Sequence, residues 1–147
     1  MKKLLLLVLL ILIGCSSKPI NSYEMLIKRN GVYYTKYTNK PYTGPFFSLY
    51  PNGFIKEEFS LKNGLEEGTY KSFYENGQLQ DFGTYKDGKL DGPFQSYYDN
   101  GILWSERTYK NGILDGPWNS YYRNGPLETE RTYKNGELDG LWKTYKT

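Results

Sequence analysis

Residues 98–118 read YDNGILWSERTYKNGILDGPW, and close copies of this stretch recur every 24 residues along the chain. Each copy carries an Asn-Gly pair near its start, at positions 52–53, 76–77, 100–101 and 124–125. A second Asn-Gly or Asp-Gly pair follows at positions 63–64, 87–88, 111–112 and 135–136. A fixed period of this length indicates a stacked repeat array, which favours a binding surface over a buried catalytic pocket.

The turn pairs predict the secondary structure between them. Asn-Gly and Asp-Gly tolerate a positive φ at both central positions of a two-residue hairpin turn, so each gap between pairs holds one strand. A further glycine recurs every 24 residues, at positions 44, 68, 92, 116 and 140. A bulky ring follows each of these glycines by two residues, and the rings alternate along the strand with small hydroxyl residues, as period-2 strands require. These rings are Phe46, Tyr70, Phe94, Trp118 and Trp142. We therefore predict an all-β fold, an elongated antiparallel meander of stacked β-hairpins.

The N-terminus has the composition of an export signal. Two lysines precede an unbroken apolar run from Leu4 to Ile13. That run is too short to cross a bilayer, which needs about 20 residues, but it fits the apolar region of a signal peptide. The predicted organisation is a signal peptide over residues 1–14, a modified cysteine and tether over 15–22, and a repeat domain over 23–147.

Leu12-Ile13-Gly14-Cys15 resembles the lipobox of bacterial lipoproteins. The resemblance implies that Cys15 carries a thioether-linked diacylglycerol and becomes the first residue of the mature chain. Two or three acyl chains anchor a protein stably, because each buried methylene contributes about 0.8 kcal/mol. The implied location is the cell envelope: the outer membrane if the host has one, and otherwise the outer face of the cell membrane.

Composition argues against several chemistries. The chain has no histidine, and its only cysteine is the predicted lipidation site. Cleavage of the predicted signal peptide removes Lys2 and Lys3, which leaves 17 of the 19 basic residues against 16 acidic residues. The sequence contains no cluster of basic residues of the kind that binds nucleic acid. Glu58, Glu106 and Glu130 recur in one repeat column, which is typical of a solvated strand face. We predict no enzyme activity, no catalytic residues, no metal site and no cofactor.

With these motifs in hand, the chain resembles the bacterial MORN repeat variant over roughly residues 31–145. The matching units are Tyr-x-Asn-Gly-x-Leu and Tyr-Lys-Asn-Gly-x-Leu-Asp-Gly-Pro-Trp, as in residues 98–103 and 109–118. The resemblance extends to the YwqK-type antitoxin family, whose members neutralise a toxin by binding it. Other arrays of this kind act as scaffolds, as membrane-associated modules or as envelope interaction proteins.

Aromatic residues of the later repeats form the predicted interaction face. Its members are Tyr97, Trp118, Tyr121, Trp142 and Tyr145. The alternative is that these rings are structural, since strands favour aromatic residues and cross-strand aromatic pairs stabilise sheets. Lys56, Arg107 and Arg131 lie near acidic residues in the sequence and are interpreted as members of weak cross-strand ion pairs.

The predicted function is non-catalytic protein–protein interaction or scaffolding by a lipid-anchored envelope protein with an unidentified protein partner. Three alternatives stay open. The first is an antitoxin or immunity protein with one dedicated toxin. The second is binding of a glycan of the cell wall, since rows of aromatic rings stack on sugars. The third is direct binding of membrane lipid by the repeats, which the near-neutral charge disfavours.

Overall fold

The computed structural model describes residues 20–21 and 25–146, and this part of the chain forms fifteen strands. They are β1 (Ile20–Asn21), β2 (Leu26–Arg29), β3 (Val32–Thr35), β4 (Gly44–Leu49), β5 (Ile55–Lys62), β6 (Leu65–Glu66), β7 (Gly68–Phe73), β8 (Leu79–Lys86), β9 (Lys89–Leu90), β10 (Gly92–Tyr97), β11 (Leu103–Lys110), β12 (Ile113–Tyr121), β13 (Leu127–Lys134), β14 (Glu137–Leu138) and β15 (Lys143–Thr144).

Thirteen of these strands form one sheet whose order follows the chain: β1-β4-β5-β7-β8-β10-β11-β12-β13-β14. The short strands β6, β9 and β15 pair with β5, β8 and β13 respectively. All neighbours are antiparallel except β1, which lies parallel to β4. The predicted all-β antiparallel meander of stacked hairpins is therefore confirmed. Ile20–Asn21 falls within the predicted tether and adds a strand at the edge of the sheet.

The two series of turns have different geometries, and only one of them matches the prediction of two-residue turns. Asn111 and Gly112 both have positive φ, 52° and 83°, and connect Lys110 directly to Ile113. The same left-handed pair occurs at 63–64, 87–88 and 135–136. This arrangement is a two-residue hairpin turn, in which asparagine or aspartate and glycine accept the left-handed conformation at low cost.

The prediction of two-residue turns is wrong for the Tyr-x-Asn-Gly series. There the residues with positive φ are the glycines Gly53, Gly77, Gly101 and Gly125, and their asparagines are not among them. Tyr98 accepts a hydrogen bond from the Gly101 N–H at 2.9 Å and donates its own N–H to Ile102 at 2.8 Å. This pattern is a three-residue loop that ends in a bulge at glycine. A shift in strand register accompanies each of the four loops, at positions 48–49, 72–73, 96–97 and 120–121.

The apolar core lies at the N-terminal end of the array. A separate hairpin of β2 and β3, closed by the left-handed pair Asn30 and Gly31, packs on the first strands of the long sheet. The buried hydrophobic residues are Leu26, Tyr42, Phe46, Phe59 and Leu61, with Tyr33 and Tyr70 packed against them. The rings of Phe46 and Phe59 stack with their centroids 4.1 Å apart. This hairpin covers one end of the sheet and leaves the later repeats uncovered.

Candidate interaction surface

The two faces of the C-terminal half of the sheet carry different chemistry. Arg107 lies opposite Trp118 across β11 and β12, while Glu106 lies opposite Asn119. Because successive residues of a strand point to opposite faces, the arginine and the glutamate are on different sides of the sheet. We call the side that carries Phe94, Arg107, Trp118, Arg131 and Trp142 the arginine face. The side that carries Glu106, Asn119, Tyr121, Glu130 and Tyr145 is the glutamate face.

Rings and guanidinium groups alternate along the arginine face. The Arg107 guanidinium carbon lies 5.7 Å from the centre of the Phe94 ring and 5.3 Å from that of Trp118. The Arg131 guanidinium carbon lies 4.7 Å from the centre of Trp118 and 4.2 Å from that of Trp142. Each arginine thus lies between two aromatic side chains from neighbouring repeats. Such contacts contribute from about 0.5 kcal/mol at exposed sites to about 2 kcal/mol where water is excluded.

The ion pairs expected for Arg107 and Arg131 do not form, so that interpretation is wrong for both residues. Neither has a carboxylate partner among the residues that the structure describes. Arg107 donates to Ser96 at 3.2 Å and to Ser105 at 3.1 Å, and Arg131 donates to Thr129 at 3.3 Å. The buried Nε atom of each arginine has no acceptor within the same described part of the chain. Lys56 instead lies over the Tyr50 ring, 5.9 Å from its centre.

A groove of about 210 Å³ opens on the arginine face. Its walls are formed by Trp104, Ser105, Arg107, Trp118, Ser120, Glu128 and Arg131. Trp104 is 46% exposed, and Glu128 accepts a hydrogen bond from Ser120 at 3.2 Å. The groove therefore combines two aromatic walls with two cations and a single anion.

On the glutamate face, tyrosine hydroxyl groups are bound to carboxylates. Tyr121 donates to Glu106 at 2.7 Å, and Tyr145 donates to Glu130 at 2.6 Å. Burial and the bond to Glu106 raise the pKa of Tyr121. The bond to Glu130 raises the pKa of Tyr145, and the bond from Tyr145 lowers the pKa of Glu130. These bonds favour the protonated form of each tyrosine and connect Tyr121 to β11 and Tyr145 to β13.

The structure divides the five aromatic residues predicted as one interaction face. Tyr97, Tyr121 and Tyr145 lie on the glutamate face, where Tyr97 donates to Gln95 at 3.1 Å. Trp118 and Trp142 lie on the opposite, arginine face. Trp142 is 59% exposed and Tyr145 is 39% exposed, while Tyr97, Trp118 and Tyr121 are half-buried. The five residues therefore contribute to two surfaces, one on each side of the sheet.

Sequence reasoning did not single out the groove residues Trp104 and Glu128, and it assigned Arg107 and Arg131 to other partners. The repeat columns contain a signal that identifies the two arginines. One column reads Glu57, Asp81, Ser105 and Thr129, and the column two residues later reads Phe59, Gly83, Arg107 and Arg131. The arginines thus appear in the two repeats where the neighbouring acidic residue has been replaced by a hydroxyl residue.

Two aspartates cap the two-residue turn of the following repeat. The Asp91 carboxylate accepts from the Asn111 N–H at 3.4 Å, and the Asp115 carboxylate accepts from the Asn135 N–H at 3.3 Å. Within the described part of the chain, no three His, Cys, Asp or Glu residues are grouped as metal ligands. No helix among these residues is long and apolar enough to span a membrane.

The predicted lipidation site Cys15 and the residues Leu12, Ile13 and Gly14 lie outside the described residues. So does the whole predicted signal peptide over residues 1–14. The lipid anchor and the envelope location thus stay predictions from the sequence.

Comparison with known families supports the repeat assignment. Residues 66–89, 90–111 and 114–135 each match the model of the MORN repeat variant, so the chain contains three consecutive copies of it. The turn geometry of these copies also occurs further towards the N-terminus, at residues 50–54 and 63–64. No curated protein and no solved structure matches the chain. A MORN array indicates a repeat protein that takes part in protein or membrane interaction, on a scaffold that is typically non-catalytic.

Proposed function

We propose that this protein is a lipid-anchored, non-catalytic repeat protein of the cell envelope that mediates protein–protein interaction or scaffolding. The observation that carries the proposal is the uncovered aromatic surface of the later repeats. From residue 90 onward, the buried residues of the described chain are the hydroxyl residues Ser96, Ser105, Ser120 and Thr129. Large side chains of the same repeats are exposed, among them Trp104 at 46% and Trp142 at 59%.

A sheet face normally buries its large apolar side chains against another layer. Tryptophan and tyrosine are also the residues that most often anchor protein partners, because they bury a large area with few rotatable bonds. Exposed rings on successive uncovered repeats therefore favour a partner that lies along the sheet. Lipid anchoring is supported by the lipobox-like sequence ending at Cys15, which would hold this surface outside the cytoplasm.

A capture experiment tests the interaction. Residues 16–147 are immobilised and exposed to an envelope extract of the native organism, and retained proteins are identified by mass spectrometry. We expect capture by the wild type, loss of capture by the double variant Trp104→Ala/Trp142→Ala, and normal capture by Tyr37→Ala. Tyr37 is 84% exposed and is the matched control outside the uncovered repeats. The double variant Tyr97→Ala/Tyr121→Ala measures the contribution of the glutamate face.

The identity of the captured material distinguishes the alternatives. Several envelope proteins support scaffolding, whereas one stoichiometric toxin establishes the antitoxin or immunity function. Retention of cell-wall fragments or lipid without any protein would contradict the proposal and favour glycan or membrane binding. Flotation of the same non-lipidated chain on liposomes separates direct lipid binding by the repeats from anchoring.

A labelling experiment tests the anchor independently. The full chain is expressed in bacteria fed with an alkyne-bearing palmitate, and acylation is detected by click chemistry. We expect the wild type to be labelled and recovered with membranes, and Cys15→Ser to be unlabelled. Equal labelling of both chains, or no labelling of the wild type, would refute lipidation at Cys15.

A further inference from the structure

The groove on the arginine face contains two cations whose charge the described chain does not neutralise by an ion pair. Arg131 has five N–H donors but one hydrogen bond within the described residues, to Thr129. Arg107 is connected to a carboxylate only indirectly, since its acceptor Ser96 donates to Asp81 at 2.7 Å. Arg131 reaches a carboxylate only through two hydroxyl groups, since its acceptor Thr129 is bonded to Ser120, which donates to Glu128. It is therefore the less directly compensated of the two cations.

The geometry holds these cations in place without an anion. The rings of Trp118 and Trp142 flank the Arg131 guanidinium, and those of Phe94 and Trp118 flank the guanidinium of Arg107, so each group is confined on two sides. A guanidinium that is already oriented loses little side-chain entropy when it binds a carboxylate, which it matches with two parallel hydrogen bonds. The half-buried setting also strengthens the attraction relative to a fully solvated pair.

The other residues of the groove restrict the chemical class of ligand that it can bind. Glu128 offsets one of the two arginine charges, which leaves the groove with one net positive charge, so an isolated carboxylate fits better than a polyanion. The groups left for contact beside it are the indole rings of Trp104 and Trp118, which favour apolar neighbours of that carboxylate. Ser120 is already bonded to Thr129 and Glu128, and Ser105 to Arg107, so few uncommitted groups remain to bind sugar hydroxyls.

We infer that this groove binds a single Asp or Glu side chain of a partner protein, flanked in the partner by apolar residues. The inference rests on the protein-interaction function proposed above and identifies the chemistry of the partner segment. Arg131 is the principal ligand of the carboxylate, with Arg107 as the second. Trp104 and Trp118 contact the apolar residues on either side.

The three tryptophans of the chain, Trp104, Trp118 and Trp142, line the groove or stack on Arg131, so their fluorescence reports on the site. The full chain in neutral detergent is titrated with the capped peptide Ac-GLELG-NH2 and with its neutral counterpart Ac-GLQLG-NH2. We expect a saturable fluorescence change with the first peptide and at least tenfold weaker binding of the second. Arg131→Gln should weaken binding of the acidic peptide at least tenfold.

Arg123→Gln is the matched control. Arg123 is also an arginine in contact with a ring, that of Tyr98, but it pairs with Asp99 and lies outside the groove. This variant should bind the acidic peptide like the wild type. Circular dichroism verifies that each variant is folded.

A second variant keeps Arg131 and neutralises its charge with a carboxylate of the chain itself. Thr129→Asp places a carboxylate in the column that already holds Glu57 and Asp81, next to Arg131. It should reduce binding of the acidic peptide at least tenfold, and it tests the inference even if Arg131→Gln fails to fold.

Three results would overturn the inference. The first is absence of binding by the wild type, and the second is equal binding by the wild type and both groove variants. The third is stronger binding of glucuronate or inorganic phosphate than of the acidic peptide, which would assign the groove to a glycan or a free anion. If the wild type captures a protein partner but does not bind the acidic peptide, the proposed function stands and this inference fails.

Discussion

At the scale of single residues, the tyrosines of the Tyr-x-Asn-Gly loops connect each repeat to the next. Their hydroxyl groups donate to a backbone carbonyl 23 residues ahead, at 2.7 Å from Tyr50 to Phe73 and at 2.7 Å from Tyr74 to Tyr97. Tyr98 and Tyr122 make the same bond at 3.0 and 2.8 Å. Tyrosine rather than phenylalanine therefore recurs because the hydroxyl group satisfies a carbonyl of the neighbouring repeat.

Loss of one such hydroxyl group should destabilise the array measurably. We expect Tyr74→Phe to lower the free energy of unfolding by about 1 kcal/mol, because the carbonyl of Tyr97 loses its donor. Urea denaturation followed by circular dichroism measures the change. Tyr37→Phe, at an exposed position, should have no effect. An unchanged urea midpoint for Tyr74→Phe would show that water replaces the hydroxyl group at no cost.

Tyr70 makes the stability of the array sensitive to alkali. Burial, together with the negative charge of Glu57, raises the pKa of Tyr70 from 10.0 to about 12. In the unfolded chain the phenol loses its proton near its ordinary value, so the stabilising contribution is complete below a pH of about 10 and is lost as the pH rises to about 12. Burial raises the pKa of Tyr33 and of Tyr85 as well.

We therefore expect the melting temperature to fall between pH 9 and pH 11.5, and to fall less in Tyr70→Phe than in the wild type. Thermal melts at several pH values measure both slopes. Tyr37→Phe is the control, and its slope should equal that of the wild type. Equal slopes for Tyr70→Phe and the wild type would refute a role for the Tyr70 phenol.

At the scale of structural elements, the same dipeptide serves two kinds of turn for different reasons. In the two-residue turns, Asn111 is needed for its left-handed conformation, with a φ of 52°. In the three-residue loops, Asn100 acts through its side chain, which accepts from the Ile102 N–H at 3.1 Å and donates to the Arg123 carbonyl at 3.3 Å. The second bond joins one loop to the loop of the next repeat.

Replacement of these asparagines by glycine separates the two roles. Glycine adopts the left-handed conformation freely, so Asn111→Gly should change the free energy of unfolding by less than about 0.5 kcal/mol. Asn100→Gly removes two side-chain hydrogen bonds and should cost at least about 1 kcal/mol more. Urea denaturation of the two variants and the wild type measures the difference. Equal losses would contradict the assignment of distinct roles.

At the scale of the whole molecule, stability should decrease from the N-terminal to the C-terminal repeats. All of the buried hydrophobic residues lie between positions 26 and 61, namely Leu26, Tyr42, Phe46, Phe59 and Leu61. In the last repeats Leu138, Leu141 and Trp142 are exposed. Since each repeat contacts mainly its neighbours, the last strands are free to open without the first ones.

We therefore expect backbone amides of β13 and β14 to exchange hydrogen at least tenfold faster than those of β4 and β5. Hydrogen exchange followed by mass spectrometry measures both regions. The paired variants Leu61→Ala and Leu138→Ala extend the comparison. Leu61→Ala should lower the free energy of unfolding by about 2–5 kcal/mol, as is typical of a buried leucine. Leu138→Ala, at an exposed position, should lower it by less than about 0.5 kcal/mol. Uniform exchange along the sheet would instead indicate a single cooperative unit.

Much of the fold followed from sequence pattern, while the candidate site did not. The Asn-Gly spacing predicts a strand in every gap between turns, because hairpin turns and period-2 strands depend on local conformation. The prediction of one strand per gap is wrong after Gly64 and Gly88, where the gap holds two strands, β6–β7 and β9–β10. The arginine face depends on which residues meet across strands, and a register shift occurs at every three-residue loop. Nearness in sequence therefore suggested ion pairs for Arg107 and Arg131, whereas cross-strand register places both between rings.

The sequence by itself determined the repeat, the strand order and the all-β class. Turns spaced alternately by 11 and 13 residues divide the chain into short strands, and each strand then pairs with its neighbour in the sequence. It did not determine which repeats are covered or which side chains share a surface. Tertiary structure decided that the β2–β3 hairpin packs over Phe46 and Phe59 and leaves Trp104, Trp118 and Trp142 on an uncovered side. The physical reason is that burial and stacking are properties of residues brought together from different repeats, which no single segment specifies.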